Sequence, residues 1–204
     1  MIRSLFATFA ALLLLPAAAG AQNLLANPNF DTDVLSWQIA DGLTLAFIDN
    51  DGFTAPGAAE VTGVVVMPPF PPATGIGQCV DLTGVDRTRT LEVSGAVKPI
   101  GYTPFQALAV VVYFDDTACL GNNLSDVQLT GFALQDQWSV LGGALGTLPL
   151  DANSASVALI LGPASTSPTL ETRFDEVFFG FDPDSIFADG YEGGNTTPWT
   201  NTVP

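Results

Sequence analysis

Short β-rich runs, each broken by Gly, Pro, Asn or Asp, recur from residue 43 to residue 181, and no long stretch carries a strong 3.6-residue apolar period. Residues 43–48 end at the turn signal Asp49-Asn50-Asp51-Gly52. Residues 59–66 are β-branched and stop at Met67-Pro68-Pro69-Phe70-Pro71-Pro72, which cannot continue a central strand. Residues 76–82 follow. Residues 90–97 alternate, with Leu91, Val93 and Val97 on one side and Glu92, Ser94 and Ala96 on the other. Residues 108–114 are almost continuously apolar, the pattern of a strand inside a sheet. Residues 127–132, 138–141, 156–161 and 172–181 close the series. A chain punctuated in this way predicts an all-β fold: an antiparallel β-sandwich of about nine strands, arranged as a jelly roll.

Composition limits the chemistry. The 204 residues include no histidine, two cysteines, 21 acidic and 5 basic side chains. Without histidine there is no Ser-His-Asp or Cys-His system and no zinc site with His ligands. Two cysteines cannot build a four-Cys zinc or iron–sulfur centre. A net charge of -16 repels phosphate, so nucleic acid is not an expected partner. Charged residues are 13% of the chain against about 25% in an average domain, so Ser, Thr, Asn and Gln must cover much of the surface.

The chain divides into three parts by pattern. Arg3, the apolar residues 5–15, Pro16 and the small residues 17–21 form the three regions of a signal peptide, with Ala19-Gly20-Ala21 as the cleavage signal. Residues 1–21 are therefore expected to be removed and the protein secreted, to the extracellular space or the periplasm. The apolar run is too short for a comfortable membrane span. Residues 22–181 are expected to form one binding module, and residues 182–204 a polar tail. Cys79 and Cys119, sent to an oxidising compartment, are expected to form a disulfide; the alternative is a pair of buried free thiols. The adjacent acids Asp115-Asp116 and Asp175-Glu176 point to opposite faces if each lies on a regular strand. Neither pair could then flank one glycosidic bond, and no catalytic residue is expected.

Asn23-Leu24-Leu25-Ala26-Asn27-Pro28-Asn29-Phe30-Asp31, followed by Trp37, resembles the opening of CenC-like (CBM4/9) carbohydrate-binding modules, which are galactose-binding-like jelly rolls. Phe174-Asp175-Glu176-Val177-Phe178-Phe179 resembles their closing strand. The segments 77–82 and 113–119 stand where such modules carry inner strands. The tail Ile186-Phe187-Ala188-Asp189-Gly190-Tyr191-Glu192-Gly193-Gly194, with Trp199, is similar to an F-x-D-G-F-E-S-G tail of secreted bacterial proteins, from which Tyr191 and Gly193 depart.

The resemblance implies a secreted, non-catalytic module that binds a glycan or polysaccharide. The alternative is a structural surface or matrix protein using the same fold for protein contacts. In the resembled family the opening segment and last strand lie side by side around a structural calcium. This makes Asp31 and Asp175 the expected ligands, with carbonyls near Asn50 or Gly52 completing the set. Otherwise Asp175 serves only as a hydrogen-bonding strand residue. Sugar rings stack on aromatic faces while polar side chains take the hydroxyls. Tyr113, with Asp115 on the same face, Glu92 and Ser94 on a neighbouring strand, and Tyr102 in a loop are the expected ligand contacts. The competing reading of each aromatic is core packing.

Overall fold

The computed structural model describes residues 22–54, 57–63, 73–163 and 170–181. The expected signal peptide, the proline run at 67–72 and the tail motif lie outside these residues. Ten strands are present among them: β1 (Gln22–Asn23), β2 (Thr44–Asp49), β3 (Gly57–Thr62), β4 (Thr74–Asp81), β5 (Thr90–Ile100), β6 (Pro104–Phe114), β7 (Asn123–Gly131), β8 (Ser139–Thr147), β9 (Ser154–Pro163) and β10 (Glu171–Phe181). All pairings are antiparallel. One sheet runs β2-β3-β10-β5-β8, with β1 joined to the end of β10 beyond β3; the other runs β4-β9-β6-β7. The two sheets form the expected sandwich. No helix among the described residues is long and apolar enough to cross a membrane.

Period-two patterning decides which face of each strand goes inward. Leu91, Val93 and Val97 of β5 are fully buried, as their alternation predicts. They meet Phe174, Val177, Phe179 and Phe181 of β10, and across the interface Val111 of β6 with Val157, Leu159 and Leu161 of β9. Each such side chain contributes about 1.5–3 kcal/mol through removal from water. The sheets approach closely at Gly95, where a β-carbon would collide with Leu159.

The alternation breaks once, at a β-bulge in β10. Asp175 pairs with Ala96 and Phe178 with Ser94, so Glu176 and Val177 together oppose Gly95. Glu176 takes a left-handed φ of 46°. Phe174 and Val177 both face the core. The extra residue therefore leaves Asp175 and Glu176 both directed away from the core, correcting the expectation that they point to opposite faces.

The opening segment is built around this bulge. Asn23 Nδ2 donates to the Val177 carbonyl at 2.8 Å, and Asn23 Oδ1 accepts from Phe179 N at 3.2 Å. Val177 N donates to the Pro28 carbonyl at 2.9 Å. Trp37 Nε1 donates to the Asn27 carbonyl at 2.8 Å, and its ring lies 5.2 Å from that of Phe30. Asn23 and the Pro28 carbonyl thus fasten this segment to the last strand, while Asn27, Phe30 and Trp37 brace its own loop.

Candidate functional site

The outward face of the four-stranded sheet carries a groove. On β6, Ala107, Ala109, Val111 and Tyr113 point into the core, so Leu108, Val110, Val112 and Phe114 point out. Their outward neighbours on β7 are Asp126, Gln128 and Thr130, and on β9 Ser156, Ala158 and Ile160. On β4 the outward residues are Gly75, Gly77 and Cys79. Side chains are thus small over β4 and β9, and a groove of about 440 Å³ opens there. Its floor includes Gly75, Gly77, Ser156 and Ala158. One wall is formed by Ile39, Ala40 and Leu43, beside Gln38. That wall is anchored where Gln38 and Gly77 exchange main-chain hydrogen bonds of 2.8 and 2.9 Å. Behind it, Gln78 accepts from Ala26 N and donates to the carbonyls of Ala26 and Ser36.

The second wall is Ala118, Cys119 and Leu120. It belongs to the loop between β6 and β7, which two aspartates organise. Asp115 accepts from Asn122 N and Asn122 Nδ2, both at 2.7 Å, and these bonds hold its carboxyl below the usual aspartate value. Asp116 accepts from Leu120 N. Gly121 packs so closely on Asp115 that a β-carbon would collide with its carboxylate. Cys79 and Cys119 form the expected disulfide, with Cα atoms 6.0 Å apart, and both line the groove.

Among the described residues, none that lines the groove is ionisable and none is aromatic. The described lining therefore supplies no general acid, no general base and no ring for a sugar to stack on. It offers aliphatic side chains, main-chain groups, the Gln38 amide and the Ser156 hydroxyl.

The expected ligand residues do not converge. Tyr113 is only 2% exposed and faces the core with Val111; burial pushes its hydroxyl pKa up to about 12. Tyr102 is 8% exposed and lies 2.6 Å from Thr172 Oγ1. Burial raises its pKa to about 12 against the opposing effect of that bond. Glu92 and Ser94 do face outward as their alternation predicts, but from β5, in the other sheet. Asp115 shapes the groove's wall loop and is not in its lining. What the sequence reading missed is the wall itself: Ile39 and Leu43 carry no motif, and the cysteines were read only as a cross-link.

Asp175 stands on the outward face of the six-stranded sheet, within electrostatic range of Asp31. Asp175 is fully buried beneath the loop between β2 and β3. Its Oδ2 accepts from Phe53 N at 2.6 Å and its Oδ1 from Glu176 N at 2.7 Å. Burial raises its pKa most; the main-chain donors pull it back, and the charge of Asp31 raises it further. Thr54 Oγ1 bonds Glu176 in the same loop. Burial and the charge of Asp175 both raise the Glu176 pKa. No group of three or more acidic, His or Cys side chains among the described residues forms a metal cage. The side-chain donors that a cation here would draw on are the two aspartates. These are hard oxygens, the donor type that calcium takes.

The loop is held down beside this pair by charge. Lys98 Nζ lies 2.9 Å from both Asp51 oxygens, and Arg173 bridges Asp51, Glu60 and Glu171. Phe53 meets Trp138 edge-on at 5.9 Å.

No protein-family model matches the sequence, and no curated protein matches it detectably. Solved structures share its fold at low identity. The CBM22-1 xylan-binding domain of Paenibacillus barcinonensis Xyn10C is 19% identical, with a TM-score of 0.58 over 81% of this chain and 97% of that one. Another xylan-binding domain of CBM22, 13% identical, aligns over 82% and 98% with a TM-score of 0.59. TmCBM61, solved with β-1,4-galactotriose, is 11% identical and aligns over 79% and 100% with a TM-score of 0.51. The chain therefore shares the jelly-roll sandwich fold of these domains.

Proposed function

We propose that the protein is an exported, non-catalytic carbohydrate-binding module that takes an uncharged glycan segment in the groove over β4 and β9. The observation that carries the reading is that groove itself, about 440 Å³ on one sheet face of a fold used by xylan- and galactotriose-binding modules. Its described lining has no ionisable group, which fits a neutral ligand. Pyranose C–H faces would rest on Ile39, Leu43 and Leu120, and hydroxyls would bond Gln38, Ser156 and the main chain. The leader-like pattern of residues 1–21 supports export. The opening and closing segments support the narrower assignment to the CenC-like group.

A structural calcium at Asp31 and Asp175 belongs to the same reading. The cation would neutralise two mutually repelling carboxylates and join the opening segment to β10. It has no role in the groove, which lies on the other sheet.

The second reading, a module that contacts protein through this face, is favoured by the missing aromatic ring in the groove and by the apolar row Leu108, Val110 and Val112 on β6. A glycan array with the mature protein, containing neutral and uronate-bearing chains and run with calcium and with chelator, separates the two. Retention of neutral chains, lost in Ala158→Arg, is the expected result. Failure to bind any glycan would retire the first reading in favour of the second.

A further inference from the structure

We propose that the Cys79–Cys119 disulfide is a positioning element of the groove. It carries the 118–120 wall across β9 onto β4, so its reduction opens the groove while both sheets stay assembled. The functional part of this inference rests on the groove being the ligand site.

The strand order carries the argument. In the sheet β4-β9-β6-β7, residues 115–122 connect β6 to β7, and β4 lies two strands away from β6. A simple hairpin connection would stay above β6 and β7. This one instead leans back over β9 and reaches the outward face of β4, where Cys79 stands. Among the described residues, its hydrogen bonds do not extend that far. Asp115 pairs with Asn122, and Asp116 accepts from Leu120. Asn153 Nδ2 donates to the Asp115 carbonyl at 2.7 Å, and Cys119 N donates to Ser154 Oγ at 3.0 Å. Those bonds stop at the start of β9. The covalent bond spans the remaining step to β4.

Two further observations agree. Cys119 has a left-handed φ of 57°, as a chain turning sharply onto its neighbour requires. Leu120, at the lip, is 86% exposed. So exposed a side chain gains little from packing and does little to hold the lip in place. The core contributes nothing to holding this wall, because its side chains all lie on the far side of the sheet.

Reduction by dithiothreitol breaks the S–S bond and leaves two protein thiols. The reagent supplies two electrons and two protons and departs as its cyclic disulfide. Hydrogen exchange of the oxidised protein, the reduced protein and Cys79→Ala/Cys119→Ala reads the wall directly and needs no ligand. The amides of residues 119 and 120, the two in this wall that donate hydrogen bonds, should exchange at least tenfold faster without the disulfide, while those of β5 and β10 keep their protection. Reoxidation of the reduced protein should restore them. Unchanged wall exchange, or equal loss of protection over both sheets, overturns the proposal.

Binding of xylohexaose and of β-1,4-galactotriose, measured well below the melting temperature, tests the functional half. Whichever the oxidised protein binds should bind at least tenfold more weakly after reduction. Val93→Ala, destabilised through the core and remote from the wall, should keep the oxidised affinity. A loosened wall with undiminished affinity overturns the positioning role. If the oxidised protein binds neither sugar, the exchange data still decide the wall, and the glycan array separately decides the glycan reading.

Discussion

Removing the disulfide should cost about as much as its loop predicts, because both sheets keep their contacts and only the 118–120 wall is released. Cys79 and Cys119 are separated by 40 residues in sequence. In the chain-entropy description, opening a loop of that length returns about 4 kcal/mol of conformational freedom to the denatured state. Both half-cystines line an open groove, so truncating them to alanine leaves no closed cavity to add a packing penalty. The hydrogen bonds of Asp115 and Asp116 keep the base of the loop folded. Cys79→Ala/Cys119→Ala should therefore lose about 4 kcal/mol. For a domain of this size that is a fall of about 8–16 °C in Tm. Calorimetry gives the melting temperature, and urea titration should show a lower midpoint with a somewhat larger m-value, since the uncrosslinked denatured chain exposes more surface. A loss under about 1 kcal/mol would refute the reasoning, for it would mean that the bond constrains the native state unfavourably. A loss far above 4 kcal/mol would show that the loop organises more of the sandwich than its contacts indicate.

Three further outcomes follow from named contacts. Asp31→Asn removes a charge facing buried Asp175 without touching the two main-chain donors of Asp175. The calcium-stripped variant should melt above the stripped parent and respond less to added calcium; a calcium response equal to the parent's excludes Asp31 as a ligand. Asn23→Ala strips both bonds from the β10 bulge and should cost about 1–3 kcal/mol in urea denaturation, whereas an unchanged midpoint would show the bulge to be self-supporting. Tyr102 and Tyr113 have hydroxyls pushed up from 10.0 to about 12 by burial. A raised folded-state pKa contributes stability that is complete below the unfolded value of 10.0 and is lost as pH rises toward 12. Alkaline unfolding in that window should therefore be less steep in Tyr113→Phe, and the phenolate absorbance that this variant loses should appear together with loss of fold; Tyr113 ionising near 10 in the native protein would contradict its burial.

The strands were legible because most have one buried face. Leu91, Val93 and Val97 are the clearest example, as the period of two survives intact from sequence to core. β1 was not legible, since two residues carry no period and Gln22–Asn23 is a strand only because β10 is there to pair with. The opening motif was legible as a fold marker for a reason now visible: Asn23 ties the first segment to the last, and Asn27, Phe30 and Trp37 hold that segment's own loop together. For the same reason, these residues carry no information about the ligand.

Two local facts explain why the site was misread. Residues 107–114 are apolar on both faces, so parity alone cannot tell which face carries Tyr113 inward. The choice was made by small partners: Ala107 and Ala109 share the tyrosine's face and leave the core room for its ring, while Leu108, Val110 and Val112 cover the outside. At Asp175-Glu176 the rule of alternation was applied where one inserted residue had cancelled it. Nothing in the side chains announces the insertion; Glu176 adopts φ 46° because Asn23, Pro28 and the loop carrying Phe53 and Thr54 all bond to this stretch of β10. Both errors arise where a long-range contact overrides a local pattern. The groove is the same case on a larger scale: its walls, residues 38–43 and 118–120, are distant in sequence and meet only because Gln38 pairs with Gly77 and Cys119 is bonded to Cys79 on a single edge strand.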